Sequence, residues 1–419
     1  MKKLLNNMNF REILSQAGLP EQGSNRGYKP EELIEVFMTG VWCGAVKYSD
    51  MEKVRGDELL HRILQVKKIG GQKSFIRYFR KFTEAKNIEV FTRLNKWFFS
   101  NLKKESITLD VDSTVLERYG NQQGSMKGYS DRKRGRNSHH PILAMIPEER
   151  KAANFWLRSG NTNTANNFIS FFENTLERLE GKKVGLLRAD SGFFSDKILT
   201  FLEEREIPVN YIFAVRLYKP LKRLILRDAE FVSVTRGVEM AEIYTSLGGW
   251  KKKRRFIIVR QNTKLRPKAT GKTIQASLFP ELNLDDTYRY GMIVTNLDLP
   301  SEYVWRLYRD RANCENMIKE LKHDFGIGSF CTQSFAATEA TLNFVLLAYN
   351  IMSLFRDLYL KSKPTPMMKQ IRKMIISMGA TIVSRGRTKY LKLSISVNRR
   401  QWFKSLWDTE YDLDLPPLL

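Results

Sequence analysis

The chain has 419 residues, too many for one ordinary domain and enough to bury at least one substantial core. With 42% hydrophobic and 11% aromatic residues, its composition is that of a globular protein and excludes a disordered one. Seventy Lys and Arg against 45 Asp and Glu leave a formal net charge of +25, a surplus that favours a polyanionic partner through counterion release. Cys43, Cys314 and Cys331 have no close spacing, which argues against a disulfide framework and a zinc cluster; they read as reduced thiols of a cytoplasmic protein. The start, Met1-Lys2-Lys3-Leu4-Leu5, lacks the apolar run of a signal peptide. No stretch approaches the roughly 20 apolar residues of a membrane span, so no membrane partner is expected.

Residues 1–100 are predicted to be a helical N-terminal domain. Glu31 to Met38 has helical apolar spacing, with Pro30 where a first-turn proline is tolerated. Lys73 to Phe99 continues in the same style, with Phe75, Ile76, Tyr78, Phe79, Phe82, Phe91 and Leu94 set among basic residues as helix core. Residues 101–216 read as an α/β unit. Ile107–Asp112, Pro141–Met145 and Ala153–Leu157 have strand patterns, and Asn166–Leu179 is an amphipathic helix. Val184–Asp190 is a buried strand, Ser195 caps the helix that follows to about Arg205, and Tyr211–Val215 is a further strand. The order β-β-β-α-β-α-β predicts a mixed sheet flanked by helices.

Over 217–300 the helical signal fades. Phe231–Val234, Arg255–Val259 and Met292–Val294 look like strands round a Lys/Thr/Gly-rich loop near 263–277, so this stretch is predicted to be a β-rich insertion. From 301 to 419 helices return, at Ser301–Phe325 and from Ala336 to about Leu360, and the last fifty residues are basic without a motif.

The most informative segment runs from Tyr308 to Lys322. A helix turns about 100° per residue, which from Val304 places Tyr308 at about 40°, Arg311 at about 340°, Glu315 at about 20° and Lys322 at about 0°. Leu307, Cys314, Ile318, Leu321 and Phe325 fall between about 260° and 320°. Four polar side chains therefore border the buried face. A merely solvated face would lie opposite, where Arg309, Asn313 and Glu320 are placed. Alone, an i,i+4 pair of Arg311 with Glu315 would account for the segment.

Two further acids change that balance. Asp112 closes one apolar strand beside Ser113 and Thr114, and Asp190 closes another beside Ser191 and Gly192. Either alone could cap the next turn. Together with an acid on a partly buried helix they are the hard oxygen ligands that a two-metal site requires. Asp110 points the same way as Asp112 along the strand and stays open as the first ligand.

Tyr308, Arg311, Glu315 and Lys322 fit the Y-x2-R-x3-E-x6-K signature in all four letters and gaps. Asp-Ser-Thr and Arg-Ala-Asp-Ser-Gly-Phe stand at the two earlier places. On these motifs the chain resembles the bacterial insertion-sequence transposases of the DDE type, over roughly residues 106–345. The resemblance implies a ribonuclease H-like mixed-sheet core interrupted by a β-rich insertion before the last acid. It implies Asp112, Asp190 and Glu315 as catalytic metal ligands for two Mg²⁺ ions, with Mn²⁺ able to substitute. Tyr308, Arg311 and Lys322 would contact DNA phosphates. The expected activity is cut-and-paste transposition on double-stranded DNA, at terminal inverted repeats and in target DNA. A homodimer holding two ends, nucleoid-associated in the cytoplasm, is expected with it, and the N-terminal domain is expected to bind DNA. The rivals are a ribonuclease H-like nuclease that cuts without joining and a non-catalytic DNA-binding descendant; a tyrosine recombinase is disfavoured by the presence of only four His.

Other features carry less. Asp131–Arg136 and Lys251–Arg255 are basic clusters suited to phosphate contact or to a solvated loop. His139 and His140 invite a metal but read better as hydrogen-bonded residues at a strand start. Trp156 and Trp305 could stack on an unpaired base, with core packing the better reading. Gly291 and Gly326 look like turn or cap residues. No phosphate-cradling loop of the Gly-Lys-Ser/Thr kind is present, so ATP-driven work is not indicated.

Overall fold

The computed structural model describes residues 1–24, 26–128, 135–265, 287–362 and 364–409. Seven helices come first: α1 (Lys2–Asn7), α2 (Phe10–Gln16), α3 (Pro30–Cys43), α4 (Met51–Arg55), α5 (Glu58–Leu64), α6 (Gln72–Phe79) and α7 (Glu84–Ser100). Pro30 opens α3, where its missing N–H has no helical partner to lose, and Gly44 ends it at φ +107°. Side-chain oxygens of Asp57 and Thr83 cap α5 and α7. The aromatics read as core are core: Phe75, Phe79, Phe82 and Phe91 are buried and interlock with Phe37 and Phe344.

The α/β part begins with β1 (Ser106–Ser113). A small sheet follows, made by β2 (Leu116–Glu117), β3 (Met126–Lys127) and β4 (Asn137–His139), strands too short for their pattern to show in the sequence. Then come β5 (Ile142–Ile146), β6 (Lys151–Trp156), α8 (Phe168–Arg178), β7 (Lys183–Ala189), α9 (Asp196–Glu203) and β8 (Tyr211–Val215), in the predicted order. Ser195 caps α9 by accepting from the Ile198 N–H, as expected.

The stretch predicted to be a β-rich insertion opens with a helix that sequence reading missed, α10 (Lys219–Asp228), and continues as β9 (Val232–Thr235), β10 (Val238–Thr245), β11 (Arg254–Asn262) and β12 (Tyr288–Thr295). It is strand-rich but does not form a separate sheet. β12 pairs with β8 from Met292↔Val215 to Thr295↔Ile212, giving one nine-stranded sheet in the order β6-β5-β1-β7-β8-β12-β11-β10-β9. β1, β7 and β8 are parallel to one another, and every other pairing is antiparallel. Gly291 lies inside β12 opposite Val259, so the turn expected there is corrected to a strand position. Most of the loop expected near 263–277 falls outside the described residues.

After the sheet come α11 (Ser301–Arg309), α12 (Ala312–His323), α13 (Phe335–Phe355), α14 (Met368–Ile371), the ribbon β13 (Ala380–Arg385) and β14 (Thr388–Leu393), and α15 (Arg400–Asp408). α13 is the central post. Trp42 of α3 donates from Nε1 to Ala348 O at 2.9 Å, and Asn350 pairs with both the N–H and the C=O of Ala152 at 2.7 and 2.9 Å. The Asn350 amide so satisfies the open edge of β6 as a neighbouring strand would. Phe335–Leu360 is long and apolar enough to cross a bilayer, contrary to the expectation that no stretch would be; 83% of its apolar window is buried inside the protein. Apolar side chains from Leu4 to Ile371 join in one cluster on this side of the sheet, so the N-terminal helices share a core with the α/β unit. On the opposite side Leu186, Ile212, Ile257 and Ile293 pack under Val304 of α11.

Candidate active site

β1 and β7 are buried apolar strands running side by side in the same direction, with Val111 opposite Ala189. The next residue of each chain segment is an acid, so Asp112 and Asp190 emerge together at the carboxyl edge of the sheet, where α/β sheets place their sites. Each carboxylate is braced by its own turn. Asp112 accepts from the Ser113 N–H at 2.8 Å, and Asp190 from the Gly192 N–H at 2.9 Å. A side chain at 192 would press on Thr164, 2.8 Å from its Cβ, which is why a glycine closes this turn.

Glu315 arrives from α12. The helix predicted to be continuous over Ser301–Phe325 is two helices broken at Asp310–Arg311. There the backbone bonding tightens, with Arg311 N–H on Tyr308 O at 3.1 Å and Cys314 N–H on Arg311 O at 2.9 Å. The break puts Glu315 in the first turn of α12, where a negative charge suits the helix dipole. Arg311 lies at the joint, buried, with one arm 2.9 Å from Asp112 and the other 3.6 Å from Glu315. Burial, Asp190 and Glu315 all push the Asp112 carboxyl up, to about 6, against the pull of Arg311. Tyr308 feels Arg311, Asp190, Asp112 and Glu315 together, and its burial raises the phenol to about 12, so it remains an O–H donor at neutral pH. Lys322 donates to Val115 O at 3.3 Å, just beyond β1, and acts electrostatically on His140. All six residues singled out in the sequence therefore converge on one edge of the sheet.

Asp110 is different. Both its oxygens are taken by Arg188, at 2.6 and 3.0 Å, and both side chains are buried. Arg188 also donates to Leu307 O, tying α11 to the sheet. Asp110 is thus half of a buried ion pair, and Asp112 is the acid that faces the site.

Sequence reading missed a supporting loop. His140 Nδ1 donates to Thr162 O at 2.8 Å and its Nε2 lies 3.0 Å from Ser113 Oγ, which in turn is 3.4 Å from Thr164 Oγ1. Arg158 is buried and grips the carbonyls of His140, Thr164 and Asn166 at 2.9, 3.1 and 2.7 Å. The dipeptide His139-His140 is hydrogen-bonded as expected: Nδ1 of His139 accepts from Arg118 Nε at 2.9 Å and its Nε2 donates to Gln123 O at 3.0 Å. A periodicity argument could not find this loop, because its polar partners come from separate turns.

Two expectations are corrected. Glu320, placed on the solvated face of its helix, is buried and accepts from Arg150, Arg356 and Met368 N–H at 3.0, 2.5 and 2.6 Å. α12 is covered on two sides, by the sheet and by the segment after α13. In the cluster Lys251–Arg255, Arg254 pairs with Asp196 and Glu203, Arg255 with Glu242, and Lys252 with Glu204, so three of its five cations are occupied internally and not set for phosphate. Trp156 packs on Phe171 and donates to Asn174, and Trp305 packs beside Val304, so both are half-buried at the margin of a core. Gly326, at φ +71°, is the turn residue it was read to be; a Cβ would sit 2.6 Å from Val46 Cα. Of Asp131–Arg136, residues 131–134 lie outside the described residues, and Arg136 sits over Tyr119.

The donor set suits a hard divalent cation: three carboxylates, no sulfur, and like charges close enough to raise Asp112. Among the described residues no three His, Cys, Asp or Glu side chains are already closed into a metal-holding group, and Arg311 is the cation that stands between Asp112 and Glu315. The site joins a mixed sheet with paired strand-end carboxylates to a third acid brought by a late helix. The chain belongs to the DDE transposases: the family model described as "Transposase DDE domain group 1" matches residues 1–409. It is a DNA transposase of the DDE type, a class that works on DNA with divalent metals. No curated protein sequence matches it. Among solved structures it is similar to a piggyBac transposase in a synaptic complex with hairpin DNA, seen by cryo-EM. Identity is 13%, coverage 88% of this chain and 76% of that one, and the TM-score 0.45.

Proposed function

We propose that this transposase works by cut-and-paste, with Asp112, Asp190 and Glu315 holding two Mg²⁺ ions, for which Mn²⁺ can substitute. The observation that carries the assignment is the emergence of Asp112 and Asp190 at one edge of two parallel strands, faced by the first turn of α12. Bound there, the ions supply Lewis-acid activation of the attacking oxygen and charge relief for the leaving oxygen. The chain's own residues do the rest. Arg311 is a planar two-armed donor suited to phosphate, and a phosphate oxygen competes with the carboxylates it now holds. Tyr308 offers an O–H to a phosphate oxygen, and Lys322 adds a positive charge beside the end of β1.

In this reading water first cleaves the phosphodiester at each transposon end, and the released 3′-hydroxyl then attacks target DNA. Two ends must be held together, so the chain acts as a homodimer on its inverted repeats, in the cytoplasm at the nucleoid. The N-terminal helices contribute to end binding. The test is Mg²⁺-dependent cutting of a duplex from one flank of its own gene. Glu315→Ala is expected to abolish cutting and to leave DNA binding in place. Cutting by that variant would overturn the assignment.

A further inference from the structure

From 358 to 407 the chain has twelve Lys and Arg and no Asp or Glu, so this eighth of the sequence holds about half of the net +25. Within it β13 and β14 form a two-stranded ribbon that joins no other sheet. Side chains alternate along a strand, and the pairing sorts them into two faces. Ile382 and Leu393, the two half-buried residues, share one face, and β13 lies against α5. The other face presents Val383 opposite Tyr390, Thr381 opposite Lys392 and Arg385 opposite Thr388. Arg387 stands at the tip beside Gly386, whose φ of +60° makes the tight turn.

Arg385, Arg387, Lys389 and Lys392 are all exposed, and among the described residues none of them meets a carboxylate. An isolated ribbon gains little stability from its own pairing, and concentrated like charge lowers it further. We infer that the β13–β14 ribbon is a second DNA-docking element, outside the active site, which lays its Arg385–Tyr390–Lys392 face and Arg387 tip along the phosphates of a duplex groove wide enough for a two-stranded ribbon. The inference rests on the chain's action on DNA. A second copy of the chain is the other candidate occupant of an exposed ribbon, and the clustered positive charge opposes it.

The test uses the full-length chain and two duplexes, one from a flank of its own gene and one of scrambled sequence, bound without metal over a salt series. Arg385→Ala, Arg387→Ala and Lys392→Ala are combined in one variant. Each lost phosphate contact lowers the slope of log affinity against log salt by about 0.9, so a slope shallower by about 2–3 is expected. Affinity at about 0.1 M salt should fall tenfold or more, on both duplexes alike. A paired Arg385→Lys and Arg387→Lys variant is expected to keep the parental slope, which separates lost charge from a damaged ribbon. Unchanged affinity and slope in the triple variant would overturn the inference, as would a fall equally large in the Lys variant. A triple variant that binds DNA normally but sediments as a smaller species would make the ribbon a subunit contact and overturn it too. Because binding is read without metal, these outcomes are independent of whether the parent chain cuts DNA.

Discussion

Exchanging Asp110 and Asp112 separately for Asn should produce opposite phenotypes, although the two residues point from the same face of β1. Asp110 gives both oxygens to Arg188, at 2.6 and 3.0 Å, with side-chain exposures of 0% and 4%. Removing one member of such a buried pair strands the other charge and costs about 3–5 kcal/mol. Asp112 has 15% side-chain exposure and one ion pair, at 2.9 Å, and Arg311 keeps Glu315 in reach at 3.6 Å when that pair is lost. Its charged form is also disfavoured in the fold by burial, Asp190 and Glu315, so a neutral Asn removes repulsion as well as attraction. The loss of stability in Asp112→Asn should therefore be smaller than that in Asp110→Asn. The assay is equilibrium urea unfolding followed by the fluorescence of the seven Trp, beside a Mg²⁺-dependent cleavage reaction. Asp110→Asn should shift the midpoint strongly, and Asp112→Asn should fold normally and not cut. A stable, inactive Asp110→Asn beside an unfolded Asp112→Asn would refute the division of roles.

Two further outcomes follow from buried groups. Glu320→Ala should cost about 3–5 kcal/mol in the same urea assay, because it leaves Arg356 buried without its carboxylate; a variant as stable as the parent would show that the pair is dispensable. His139 is held neutral by burial, with its pKa lowered to about 4. The unfolded chain takes up that proton near pH 6.5, so the stabilisation is complete above about 6.5 and is lost as pH falls towards 4. The pH dependence of stability across that window should lose about one proton in His139→Asn, and an unaltered slope would contradict it.

The site was legible where local patterns carry chemistry. Apolar strands ending in Asp112 and Asp190, and a helix with Glu315 on the border of its buried stripe, are features of short windows. Choosing between Asp110 and Asp112 needed Arg188, and its partnership is set by the pairing of β1 with β7 across more than seventy residues. Glu320 was misread because helical phase reveals one buried side, while its partners Arg150, Arg356 and Met368 approach from another. The joining of β12 to β8 is likewise a long-range pairing that alternation cannot specify. In Lys251–Arg255 the composition was plain, but the carboxylates that neutralise it come from α9 and β10.

Cutting and joining of DNA are assigned above to three carboxylates at one edge of the sheet. Its most direct measurement incubates the purified chain and Mg²⁺ with duplexes from both flanks of its own gene and a target plasmid. The parent chain is expected to give 3′-end cleavage and joined products, and Glu315→Ala neither, while it still binds the duplexes. Cleaved or joined products from Glu315→Ala would contradict it.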